Sequence, residues 1–321
     1  MTATYESTLT INSINDTNTT QPSYFNIPEI DRLIQNPGPP ILEIISPPPT
    51  HHASGAGKTS LLYLIIAHAI LPTSFSSTPL DGQEAAVVLF DPLNHFNVPR
   101  LAETMLSLLK SNLLATEKDV NDSVNTDMKS TIRTSLLHLH IFRPQSWPSL
   151  LSTLNSLPDY LLDRSPQHKS IHRRIHSLLV EDIDAFAWPI RNTNASISNS
   201  SNALATASTQ LTTSLAELTK LLSCATILTS QSTTPSTYRP ALPASWPSGT
   251  PVTRLAVRRV DVLKFAPAIS LEEAEKERVQ RWEVVSRGQF ECWRVGAGVR
   301  DGEGIVFRVG RGIEIERDGA R

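Results

Sequence analysis

The stretch THHASGAGKTS, residues 50–60, stands between an apolar string, ILEII (41–45), and a second one, LLYLIIAHAIL (61–71), that Pro72 stops. That order reads as a buried strand, a tight loop and an apolar helix. The loop matches the phosphate-binding pattern G-x-x-x-x-G-K-[ST] at every required position but one. Gly57, Lys58 and Thr59 supply its end, and the place of its first glycine is held by His52. In such a loop, backbone N–H groups and the N-terminus of the following helix cradle phosphate. Ser54, Gly55, Ala56, Gly57, Lys58, Thr59 and Ser60 are therefore the candidate cofactor-binding set, with ATP and Mg²⁺ as the expected ligands. Lys58 would reach the terminal phosphates and the Thr59 hydroxyl would ligate Mg²⁺. Gly55 and Gly57 let the backbone approach without a Cβ. The competing reading is a glycine-rich turn that opens a helix beside a chance Lys-Thr; the strand before and the helix after argue against it. His52 costs stability if its turn needs a positive φ, and Pro47, Pro48 and Pro49 stiffen the approach. Both features weigh against tight nucleotide binding. Adjacent His51 and His52 point apart in a strand-like segment with no nearby Cys or carboxylate, which argues against a metal there.

Working outward, apolar strands and helices alternate. AAVVLF (85–90), LLHLHIF (136–142), SLLVED (177–182) and CATILTS (224–230) read as strands. VPRLAETMLSLL (98–109), with Pro99 in its first turn, SWPSLLSTLNSLPDYLL (146–162) and ALATASTQLTTSLAELTKLL (203–222) read as helices. Such alternation predicts an α/β fold: a mainly parallel sheet with helices on both faces. VTRLAVRRV, RWEVVS, FECWRV, GIVFRV and GIEIE then predict an antiparallel C-terminal extension, and SLEEAEKERVQ (270–280) a short charged helix between two of those strands. Residues 73–84, 115–131, 191–202 and 231–250 are expected to be loops or insertions. Residues 1–37, rich in Thr, Ser and Asn, are expected to form a flexible tail before a core at 38–321. IPEIDRLI, within that tail, reads as a short helix able to dock on the core or on a neighbour.

Composition narrows the function classes. Acidic residues number 31 and basic ones 29, so no global cationic field draws the chain to nucleic acid. Cys224 and Cys292 lie in apolar or aromatic strings without a C-x-x-C, which suits a reducing compartment and argues against zinc. No apolar run reaches membrane-spanning length and the first residues do not form a secretory signal. A soluble cytosolic or nuclear protein with no membrane role is expected.

A magnesium–nucleotide site needs an acidic residue at the end of a neighbouring strand. Asp182, at the end of SLLVED, is the expected Mg²⁺ partner of Thr59, while strict strand alternation would turn Glu181 to the opposite face. The competing reading of Asp182 is a turn residue after the strand.

SGAGKTSLLYLIIAHAILP, VLFDPLNHFNVPRL, SLLVEDIDAFAW, TILTSQST, YRPALPASW and VTRLAVRR, in this order, make the chain similar to the ATPase core of RecA-type recombinases. More narrowly, it resembles the eukaryotic recombinase paralogues of homologous recombination. His95–Phe96 and Ala185, Phe186 and Trp188 are the most distinctive matches, and the resemblance runs from about Ile41 to Ile315. It implies a RecA-like P-loop ATPase core and assembly with other recombinase paralogues. It further implies support of a recombinase filament on single-stranded or branched DNA, and a nuclear location. Gln231 corresponds to the glutamine that senses the terminal phosphate and opens the second DNA loop; its competing reading is a polar residue at a loop entrance. Arg254 falls on the strand after that loop. Active recombinases carry a water-activating glutamate two residues after the aspartate matched by Asp91, and Leu93 stands there. Poor hydrolysis is expected, with an active DNA-dependent ATPase or strand-exchange enzyme as the alternative. His95 is a base by residue type, and packing or hydrogen bonding in its turn is the competing role. The DNA-loop equivalents, residues 191–202 and 231–250, hold few charges, so DNA contact is expected to be weak or to need partners.

Overall fold

The computed structural model describes residues 23–316 apart from 35–37, 49–55, 117–120, 166–167, 194–199, 235–237, 261–269, 297–303 and scattered positions between 271 and 284. Nine strands form one sheet: β1 (Ile41–Ser46), β2 (Ala86–Phe90), β3 (Leu139–Phe142), β4 (Ile175–Val180), β5 (Ala225–Gln231), β6 (Val252–Arg259), β7 (Gln289–Arg294), β8 (Gly304–Val309) and β9 (Ile313–Ile315). Their order is β9-β8-β7-β6-β1-β5-β4-β2-β3. From β3 through β6 every neighbouring pair is parallel, and β7, β8 and β9 add antiparallel pairs. The expected antiparallel extension therefore starts one strand later than VTRLAVRRV, which pairs parallel with β1.

Period-two alternation sorts the buried strand residues into two cores. Val87 and Leu89 face one core, and Val88 and Phe90 the other. The first core takes α1 (Pro28–Ile34), α2 (Lys58–Ile70), α3 (Val98–Ala115) and α4 (Asp122–Leu136). The second takes α5 (Trp147–Leu162), α6 (Ala187–Thr193) and α7 (Ser200–Leu222). Helices thus cover both faces, as the alternation predicts.

Three segments depart from the sequence expectations. The stretch 115–131, expected to be loop, holds most of α4: Asn121 caps it by accepting from Val124 N, and Met128 and Ile132 bury one face. RWEVVS, expected to be a strand, is helical at Trp282, Val285 and Ser286. It continues the charged segment, whose start is a capping box: Glu273 N donates to Ser270 Oγ and Ser270 N donates to Glu273 Oε2. The end of the assigned tail is core rather than tail. Phe25, Ile27, Ile30, Leu33 and Ile34 are buried, and the Asp31 carboxylate accepts from the backbone N–H groups of Tyr24, Phe25 and Ile27. The Tyr24 hydroxyl donates to the His176 carbonyl and accepts from Ala225 N, tying this segment to β4 and β5. It packs on its own core.

Glu43 in the central strand is buried, and two donors satisfy it: Trp246 Nε1 at 2.6 Å and Arg254 Nε at 2.6 Å. Arg254→Met strands the carboxylate with one indole donor and is expected to cost about 3 kcal/mol. Glu43→Gln leaves an arginine that is already 49% exposed and is expected to cost about 1 kcal/mol. Urea midpoints at unchanged m-value test the ranking; the reverse order would refute this account of Glu43.

Candidate functional site

The carboxyl ends of β1, β5, β4 and β2 meet at one rim, where ligands bind in open parallel sheets. Gly57 ends the glycine loop in the left-handed region, φ 91° and ψ 0°. A Cβ there would stand 2.7 Å from the Phe290 ring, which stacks on Phe307 at 5.4 Å. Glycine is thus required both by conformation and by the C-terminal strands that buttress the loop. α2 begins directly after it with no side-chain cap among the described residues, and a helix N-terminus favours an anion. His52, Ser54 and Gly55 lie outside the described residues; Ala56 and Ser60 are half-buried beside the loop end.

Lys58 is 8% exposed, an unusual burial for an ammonium group. Its Nζ donates to Ser46 Oγ at the end of β1, 2.9 Å away, and stands 3.5 Å from Asp182 Oδ1. Thr59 Oγ1 donates to Glu181 Oε1 at 2.5 Å. The acid on Thr59 is therefore Glu181 and not Asp182, which corrects the alternation argument. β4 ends at Val180, and Asp182 adopts a left-handed conformation, φ 46° and ψ 59°. The pleat stops before these residues, and both carboxylates turn to the same rim. Burial pushes the Glu181 carboxyl up to about 7, against the Thr59 hydrogen bond.

The residues of this corner could hold a magnesium–phosphate group. A buried ammonium and a helix N-terminus without a side-chain cap would both favour an anion here. Thr59 donates its proton to Glu181 and so keeps its lone pairs, while Glu181 Oε2 and Asp182 Oδ1 are buried oxygens that accept no hydrogen bond. Thr59 and Glu181 fit a small hard cation, with Asp182 held on Lys58 and His95 instead.

A second part of the rim is a cleft of about 300 Å³. Leu93, Asp182, Asp184, Trp188 and Gln231 line it. Gln231, the last residue of β5, donates its backbone N–H to Asp184 Oδ2 at 3.0 Å, so the structure brings it to the site. Leu93 is 46% exposed and faces the cleft. Asp91 does not: it is buried, and its carboxylate accepts from His95 N at 2.9 Å and Phe96 N at 3.2 Å. His95 Nδ1 lies 3.2 Å from Asp182 Oδ2. Of the competing roles, hydrogen bonding fits this exposed imidazole and packing does not.

Sequence reasoning missed Ser46 and misplaced Glu181. The signal for Glu181 was an acid directly after the apolar run SLLV, where a pleat can end. Nothing in a serine closing a strand announces a lysine partner twelve residues on. In the second of the segments matched to DNA loops, Trp246 is taken by Glu43, and Tyr238 stands edge-on to Trp293 at 5.4 Å. Arg254 and Arg258 pair with Glu43 and Glu291. Residues 194–199 of the other loop lie outside the described residues.

No protein-family model matches the chain, and no curated protein does. Among the described residues no helix is long and apolar enough to cross a membrane, and no three or more His, Cys, Asp or Glu side chains are grouped to hold a metal by themselves.

Proposed function

We propose that the chain is a RecA-like recombinase paralogue that binds ATP–Mg²⁺ at this rim. We read it as a mediator subunit in homologous-recombination repair, in the manner of the X-ray-repair cross-complementing paralogues. The observation that carries the reading is the meeting of Lys58, Thr59, Glu181 and Gln231 at one sheet end, with Leu93 where a water-activating carboxylate is expected. When bound, Mg²⁺ would neutralise phosphate charge. Lys58 would hold the phosphates, Thr59 and Glu181 would hold the cation, and Gln231 would sense the terminal phosphate. Leucine neither orients nor deprotonates water, so nucleotide serves structure or regulation more than turnover.

The internal pairing of Trp246, Arg254 and Arg258 supports weak autonomous DNA contact, with single-stranded or branched DNA engaged through the complex. Assembly with other recombinase paralogues draws support from the outer edge of β3, the last strand of the sheet. Leu137, two residues before β3, and Tyr160, whose ring meets Phe142 within it, expose 55% and 41% of their surface. A nuclear location follows from the repair role.

Equilibrium binding of a fluorescent ATP analogue with Mg²⁺ tests the reading. Wild type is expected to bind and Lys58→Ala to lose at least tenfold in affinity, since a charge-assisted phosphate contact is worth about 1.5–3 kcal/mol. Equal binding by the two proteins, or binding by neither with or without recombinase paralogues, would remove the nucleotide role.

A further inference from the structure

We propose that His95, held by Asp182, is the residue that positions and deprotonates water for hydrolysis at this rim, in place of the carboxylate missing at Leu93. The proposal rests on the nucleotide reading above and adds to it a route for turnover.

The placement of His95 is built from both sides. Asp91 fixes the turn by accepting from His95 N and Phe96 N. Asn94, at φ 54°, reverses the chain. Beyond it, the Phe96 ring packs on Tyr63 at 4.8 Å, and the Tyr63 hydroxyl accepts from Asn97 N at 2.9 Å. The backbone of His95 is thus anchored before and after, while its side chain is 58% exposed. A histidine needed only for packing would be buried. One needed only for solvation would have no fixed partner, yet Nδ1 lies 3.2 Å from Asp182 Oδ2.

Asp182 links this imidazole to the phosphate-binding lysine, since its other oxygen stands 3.5 Å from Lys58 Nζ. A carboxylate on Nδ1 selects the tautomer with the proton there and leaves Nε2 as an acceptor. Leu93, two residues earlier on the same turn, lines the adjoining cleft and supplies an apolar wall. The structure therefore provides, within one turn, a base of the right kind at a place where the expected glutamate is absent.

The step balances without a further reactant. Nε2 of His95 accepts a hydrogen bond from water. As the water oxygen bonds to the terminal phosphorus, the bridging P–O bond breaks and its electron pair leaves with the diphosphate oxygen. Nε2 takes the water proton, and Asp182 stabilises the imidazolium. Nucleoside diphosphate and inorganic phosphate are the products.

His95→Asn is the discriminating variant. The shorter amide can still donate to Asp182 but has no counterpart of Nε2. The full chain is to be tested for binding of the fluorescent ATP analogue, for single-turnover phosphate release from ATP, and, without ligand, for its histidine tautomers by long-range ¹H–¹⁵N NMR at pH 8. His95→Asn is expected to bind within about twofold of wild type and to release phosphate at least tenfold more slowly, the low side of what a general base contributes. His95 is expected to carry its proton on Nδ1 in wild type and to lose that preference in Asp182→Asn. Unchanged release by His95→Asn, no release by a wild type that binds, or a proton on Nε2 would each overturn the proposal while leaving nucleotide binding intact. Failure of wild type to bind would overturn both.

Discussion

Between pH 7 and pH 4 this protein is expected to lose on the order of 5 kcal/mol of stability, enough to unfold many single domains. The cause is histidine burial. Burial lowers His138 and His140 to about 4 and His176 to about 3, against 6.5 when exposed. His176 is fully buried under Tyr24 and Phe25. His138 and His140 share Ser170 Oγ at 3.0 and 2.8 Å, and His140 also meets the Tyr160 hydroxyl. A folded pKa below the unfolded one means that the unfolded chain binds more protons as pH falls below 6.5. Stability is then lost progressively until the folded pKa values are passed. Each tenfold weakening of proton affinity is worth about 1.4 kcal/mol, and solvent at the half-buried His140 reduces its share. Urea unfolding followed by circular dichroism from pH 7.5 to pH 4.5 gives the slope. His140→Gln is expected to reduce it by about one proton. A flat profile, or an unchanged slope in that variant, would show that these side chains are solvated.

Glu181→Gln is expected to act in the opposite direction and to separate stability from function. The Glu181 carboxyl is raised by burial to about 7, so its ionised form is the unfavourable one in the free protein. With a folded pKa above the unfolded one, its effect is absent below pH 4.5 and is lost stability as pH rises through 7. Glutamine keeps an acceptor for Thr59 without the buried charge. Allowing for relaxation, the free protein should gain about 2 kcal/mol at pH 8 and nothing at pH 4. The same change removes the negative charge facing the cation corner. Nucleotide binding should then lose most of its enhancement by Mg²⁺. Thermal unfolding at the two pH values, and binding of the ATP analogue with Mg²⁺ or with EDTA, check both halves. A variant less stable at pH 8, or equally responsive to Mg²⁺, would return Glu181 to a purely structural role. Because the histidines and Glu181 oppose one another between pH 4.5 and 6.5, Glu181→Gln should also steepen the acid slope.

Local pattern determined much of this molecule. ILEII, AAVVLF, SLLV and CATILTS became adjacent parallel strands because continuous apolar runs must be covered on both faces. The turn at Gly57 that opens an apolar helix was legible because glycine is the residue that adopts its positive φ without strain. Even the missed α4 was written in Asn121, Val124, Met128 and Ile132, a cap and an apolar repeat of four within a polar stretch. Tertiary structure decided what depends on strand ends and on distant partners. Where β4 stops, two-residue alternation ceases to apply, so only the fold could show Glu181 and Asp182 turning to one rim. Strand order likewise decided that Glu43 would meet Trp246 and Arg254, more than two hundred residues away, and occupy their donors. The pairing of His95 with Asp182 joins the ends of two strands, and no spacing in a single chain encodes that distance.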